Sequence, residues 1–209
     1  MRVAVLVSGV GSILEAIWGS GLQVGLVLAD RHCRGLEIAK ARGVQVALVD
    51  RREFAGEDGE KFDRDAFSDA VSDRLLESGV GVVALAGFGT VLVGRIHGEF
   101  GGRMVNTHPS LLPSFPGWHS VSQALEAGVH VTGTTAHVVV PEVDAGPILA
   151  QVPVRVRFGD TVESLHERIK IAERQLFPQV LASAIACVGL GGEWWRSEKF
   201  WSLMQEVQG

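Results

Sequence analysis

The chain has 209 residues, a formal net charge of −5 from 19 Lys+Arg against 24 Asp+Glu, and 46% hydrophobic residues. That apolar share builds a full core and excludes intrinsic disorder. The acidic balance excludes a general nucleic-acid partner, which needs a basic stripe.

The pattern of the first 90 residues alternates strand and helix. Val3–Val7 is a continuous apolar run, as in a strand buried on both faces of a parallel sheet. Gly9-Val10-Gly11-Ser12 follows, then a helix from Ile13 to about Trp18 with Ser12 as its N-cap. Val24–Leu28 predicts a second strand ending at Ala29-Asp30. Leu36–Arg42 predicts a helix stopped by Gly43, and Val44–Val49 a third strand. Phe62–Glu77 carries a helical stripe of Phe62, Ala66, Phe67, Ala70, Val71 and Leu75, ahead of a fourth strand at Gly81–Ala86. Such alternation implies right-handed crossovers and an α/β fold with a doubly wound, mostly parallel sheet.

Beyond Phe88 the pattern changes. Met104–His108 is a short strand with polar residues, leading into a loop rich in proline and glycine over 110–128, where an active-site lid is expected. Gly133–Val140 and Ile148–Val156 flank the turn Pro141–Pro147 and read as a long-looped hairpin, so the sheet is expected to be mixed. Val162–Cys187 is a long helix with Leu165, Ile169, Ala172, Leu176, Val180 and Ala184 inward. One domain over residues 1–187 is expected. A Trp-rich tail (188–209) with Trp194, Trp195, Phe200 and Trp201 then packs on it or at an interface.

Two cysteines, Cys33 and Cys187, are too few for a disulfide framework. The start lacks a signal-peptide pattern, and charged or turn residues interrupt every apolar run before membrane-spanning length. A cytoplasmic protein with no membrane partner is expected. Seven histidines (His32, His97, His108, His119, His130, His137 and His166) show no metal-ligand spacing, so no metal is expected.

Two segments carry chemistry. The loop Gly9–Leu14 follows a strand and opens a helix, where free N–H groups and the helix dipole attract a phosphate. Leu14 stands where a dinucleotide fingerprint has its third glycine, although Asp30 is suited to the ribose-binding acid of that motif. A tight turn without ligand is the other reading. Asn106 and His108 lie two apart on one strand, so both side chains share a face, and Pro109 ends the strand. An amide and an imidazole at a strand's carboxyl end lie where α/β sheets place ligands, or else serve as a loop cap and a structural histidine.

Asn106-Thr107-His108-Pro109-Ser110-Leu111-Leu112-Pro113 resembles the signature of the folate-dependent formyltransferases. Supporting segments follow in order: Ser8–Ser12, Leu85–Phe88, Phe115-Pro116-Gly117, Gly133–His137, Asp144–Leu149 and Leu165–Lys170. The resemblance spans roughly residues 2 to 186 and implies a Rossmann-like formyltransferase fold. It is nearest the branch that moves a formyl group from 10-formyltetrahydrofolate to the amine of glycinamide ribonucleotide in purine synthesis.

The resemblance assigns Asn106, His108 and Asp144 to catalysis, with Asp144 raising the His108 pKa. It assigns the ribonucleotide to Gly11, Ser12, Ile13, Lys170 and Glu173, the loop amides holding its 5′-phosphate. The folate is assigned to Arg64, Leu85, Gly89, Thr90, Val91, Leu92, Asn106, Val139 and Val140. The chain departs from the family in two places. Val10 and Ile13 stand where Asn is frequent, which leaves the backbone donors intact. Gly89-Thr90 replace a usual Met-Arg, which weakens contacts to the folate's glutamate tail. Small-molecule substrates and a monomer or homodimer are expected. The rival readings are a formyltransferase for another small amine such as an amino sugar, and a non-catalytic nucleotide-binding module that uses Gly9, Gly11 and Asp30. Two-domain relatives that hydrolyse formyl-folate or formylate a tRNA need an extra domain, for which the length leaves no room.

Overall fold

The computed structural model describes residues 1–55 and 62–208. Residues 56–61, inside the expected domain, and Gly209, the end of the expected tail, lie outside the described residues. The chain divides into two compact units, Met1–Met104 and Val105–Gly209.

The first unit runs β1 (Val3–Val7), α1 (Ser12–Gly19), β2 (Leu26–Ala29), α2 (Arg34–Ala41), β3 (Gln45–Leu48), α3 (Arg64–Glu77), β4 (Val82–Leu85) and α4 (Ile96–Phe100). Its four strands are parallel in the order β3-β2-β1-β4, with Val5 opposite Val27 on one side and Ala84 on the other. Every residue of β1, β2 and β4 is buried, which is why these strands read as unbroken apolar runs. The chain steps outward from β1 to β3, then returns to the far side of β1. This reversal places a topological switch point at the carboxyl ends of β1 and β4, where α/β sheets bind ligands.

Three expectations change here. Gly11, not Ser12, caps α1, with φ 80° and no side-chain cap; Ser12 is the first helical residue. A Cβ at Gly11 would lie 2.9 Å from Gly35 Cα, so close approach and backbone angle both demand glycine. Asp63 caps α3 by accepting from Ala66 N at 3.0 Å, so the helix starts after Phe62. The buried face of α3 is Phe67, Ser68, Val71, Ser72 and Leu75, while Ala66 is exposed. The five-residue α4 had no periodic signature to read.

The second unit holds β5 (Met104–His108), α5 (Ser120–Glu126), β6 (Val131–Val138), β7 (Ile148–Arg155), α6 (Val162–Cys187) and α7 (Glu198–Gln208). β5 pairs antiparallel with β6, and β6 with β7, so the chain is an α/β protein with parallel and antiparallel pairing. A Thr161–Ser164 capping box starts α6, and all six expected inward residues are buried. Val121, Leu165 and Ile169 form a small core with Leu125, Val154 and Val156 against them. The 110–128 segment is not all loop, since α5 occupies its second half. In the tail, Trp194 is buried with its ring 5.3 Å from Phe200, edge to face, while Trp201 is exposed.

Candidate active site

The catalytic candidates are brought together in the second unit. β5 sets Asn106 opposite His137 and His108 opposite Thr135, so Asn106, His108 and His137 share one face of the strand pair. Asp144 reaches them from the β6–β7 loop with φ 54°, an uncommon angle for a non-glycine residue. A Cβ at Gly146 would lie 1.7 Å from Val138 O, so only glycine lets the loop fold back this tightly. One oxygen of Asp144 lies 3.3 Å from His108 Nδ1, and the other lies 3.6 Å from His137 Nε2. The backbone N–H of Gly117 donates to Asp144 Oδ2 at 2.8 Å. His108 Nε2 lies 2.8 Å from the carbonyl of Phe115, itself at φ 56°.

These contacts set the charges. Burial works against ionisation of Asp144, but bonds from His137 and Gly117 N–H and the charge of His108 hold its carboxyl below the usual range. Asp144 acts on His108 in the expected direction, but burial acts against it. Burial pushes the His108 pKa down, and the Phe115 carbonyl and Asp144 carboxylate push it up without overcoming that. Acceptors face both ring nitrogens. A protonated ring would thus meet the Asp144 carboxylate at Nδ1 and the Phe115 carbonyl at Nε2.

His137 belongs to the site, although the sequence offered only its place in the Gly133–His137 segment. Its Nδ1 lies 3.0 Å from Val138 O, leaving Nε2 toward Asn106 Nδ2 at 3.1 Å and Asp144. The antiparallel register across from Asn106 is the signal that finds it, and that register appears only once the strands are paired.

Glu173 is buried on α6, where Thr107 Oγ1 donates to it at 3.3 Å; Thr107 and Thr134 hydroxyls lie 3.1 Å apart. Burial raises its pKa to about 7, against the pull of Thr107 and the charges of Lys170 and Arg174. Lys170 does not bond to Glu173; its ammonium pairs with Glu167 at 2.8 Å.

Most of the remaining candidates lie in the first unit. No side chain caps the first turn of α1, which starts beyond the carboxyl end of β1; Gly11 and Ile13 are buried and Ser12 is half-buried. Leu85 and Leu92 are buried, and Gly89 and Val91 are half-buried. Thr90 is buried and turned inward, its hydroxyl donating to Asp30 Oδ2 at 2.7 Å. Asp30 is fully buried and held by Arg31 as well, so its carboxylate is not open to a ribose. Arg64 is exposed, its guanidinium 6.0 Å from the Phe62 ring centre. Val139 and Val140, in the second unit, are half-buried at the end of β6. Among the described residues, no three His, Cys, Asp or Glu side chains are grouped to hold a metal ion.

A glycine-capped helix start at a switch point and an Asn, His and Asp set aimed at one spot define an α/β group transferase. Residues 1–181 match the formyl transferase family, and the chain belongs to it. It is 41% identical over 196 residues to the phosphoribosylglycinamide formyltransferase of Mycobacterium tuberculosis, covering 91% of this chain and 86% of the relative. It is 39% identical to the human trifunctional purine biosynthetic protein adenosine-3, covering 92% of this chain but only 19% of that protein. The chain thus spans about a fifth of the trifunctional relatives, as in the cattle protein at 19%. Among solved structures, glycinamide ribonucleotide transformylase 1 from Symbiobacterium toebii has TM-score 0.80 at 38% identity, covering 90% of this chain and 89% of that one. Phosphoribosylglycinamide formyltransferase from Bacillus halodurans has TM-score 0.79 at 36% identity, covering 89% and 96%.

Proposed function

We propose that this chain transfers the formyl group of 10-formyltetrahydrofolate to the amine of glycinamide ribonucleotide, a step of purine synthesis. The observation that carries this reading is the buried His108–Asp144 pair beside Asn106. An amine attacking a formyl carbon leaves negative charge on the formyl oxygen and an excess proton on nitrogen. The Asn106 amide supplies a donor for that oxygen. His108 accepts the proton and passes it to the departing folate nitrogen, and Asp144 stabilises the imidazolium in between.

The co-substrate is assigned to Leu85 and Leu92, which offer apolar wall, and to the 89–92 backbone, which offers donors and acceptors. The 5′-phosphate is assigned to the amides of Gly11, Ser12 and Ile13, a site that needs no cationic side chain. Lys170 and Glu173 are assigned to the rest of the ribonucleotide. Arg64 is assigned to the folate's anionic tail, because it is exposed and has no ion pair among the described residues. Both cysteines are unpaired, which fits a reducing cytoplasm, and no helix among the described residues is long and apolar enough to cross a membrane.

The test is direct. Purified protein with both substrates should release tetrahydrofolate, and omission of either should abolish release. Absence of turnover, or the same turnover with an amino sugar in place of the ribonucleotide, would overturn the reading.

A further inference from the structure

The segment Gly89–Val93 has no regular secondary structure, yet side chains from four surrounding places pin it. Ser8 Oγ, at the end of β1, accepts from Gly89 N at 2.6 Å. Thr90 Oγ1 donates to Asp30 Oδ2, at the end of β2. His97 Nε2 on α4 bonds to Leu92 O at 2.9 Å, and Ser68 Oγ on α3 accepts from Val93 N at 3.0 Å.

These pins are unequal. Three involve no carboxylate, whereas Thr90 bonds to one with no exposure at all. Hydrogen bonds to charged groups are about twice as strong as neutral ones, and more is lost when a buried one is left unmade. Asp30 does not depend on Thr90 for its place. Arg31 grips it with Nε at 3.0 Å and Nη2 at 3.1 Å, and its carboxyl stays below the usual range despite burial. The carboxylate is thus a fixed post, and Thr90 is tied to it between two glycines with positive φ, Gly87 at 69° and Gly94 at 69°. Glycines on both sides make the segment costly to order, so a fixed point near its middle matters most.

We propose that Asp30 and Thr90 are positioning residues for formyl-folate. Thr90 does not touch the co-substrate with its side chain, but its bond to Asp30 pre-forms the backbone of 89–92 that does. This rests on the assignment of that segment to the folate. It also changes the meaning of the Gly89-Thr90 departure: position 90 here carries an inward tether.

Thr90→Val keeps shape and removes the hydroxyl. It should raise KM for formyl-folate about tenfold, with kcat and KM for the ribonucleotide within about twofold, the pattern of lost pre-organisation. Thr90→Ser should restore KM, and Asp30→Asn should give an intermediate rise. An unchanged folate KM in Thr90→Val would overturn the proposal. So would equal rises in both KM values, or failure of Thr90→Ser to rescue, since these mark general structural damage. Val91→Asp, with its fold checked by circular dichroism, separates this from the underlying assignment. If it raises folate KM while Thr90→Val does not, only the tether fails. If neither variant changes folate KM, the segment is not the folate site.

Discussion

In the proposed reaction the second unit acts through side chains, whereas the first unit's glycine loop binds through backbone. In the His108, Asp144, Asn106 and His137 set, every function resides in an imidazole, a carboxylate or an amide, each aligned by contacts of 2.8 to 3.6 Å. At Gly9–Ser12 the donors are peptide N–H groups, and the side chains matter only by staying out of the way. The contrast teaches where substitution is tolerated. Val10 is exposed and Ile13 is buried, and neither change from the family's frequent Asn removes an amide. On the proposed reading, an equally small change at His108 removes the group that holds the proton.

The sharpest way to break this contrast is to strip one side chain. His108→Ala should lower turnover about 10³-fold, as loss of a general acid–base does, and Asp144→Asn about 10²-fold, read by initial rates of tetrahydrofolate release. Near-normal rates for Asp144→Asn would make it only a turn residue. Next comes a change of backbone. Gly11→Ala pushes a Cβ against Gly35 at a φ of 80°, a strain of about 1–3 kcal/mol. It should raise KM for the ribonucleotide more than tenfold and lower the unfolding midpoint, while kcat changes less.

A third effect concerns pH. Glu173 has a pKa near 7 in the fold against an ordinary 4.5, so the folded state favours its protonated form. Its contribution to stability is full below pH 4.5 and is lost as pH rises through about 7, by about 3 kcal/mol at most. The unfolding midpoint of wild type should therefore fall between pH 5 and 8 relative to Glu173→Gln. Parallel curves would mean the carboxyl is ionised throughout. The smallest effect is Val10→Asn, which should leave ribonucleotide KM within about twofold; a large gain would show that the loop needs side-chain donors after all.

Much of this was legible in the residues. Apolar runs marked β1 and β4, and the boundaries of β5 and α6 were readable to the residue, because Pro109 closes the strand and Thr161 caps the helix. Asn106 and His108 could be paired by strand periodicity alone. What stayed hidden depends on contacts far apart in sequence. His137 joins the site through register, Thr90 turns inward because Asp30 waits 60 positions away, and Ser68 and Ser72 are buried because backbone or side-chain partners meet them. Asp144 raises the His108 pKa as expected, while the depth of burial, which depends on the folded chain, pulls it lower.

The central proposal is that the His108 imidazole carries the chemistry while the Gly11, Ser12 and Ile13 amides carry the 5′-phosphate. It is tested most directly by measuring both in one preparation of His108→Ala: ribonucleotide binding by calorimetry and single-turnover formyl transfer by quench. The account predicts a dissociation constant within about threefold of wild type alongside a transfer rate reduced about 10³-fold. Transfer that persists, or binding lost together with transfer, would contradict it.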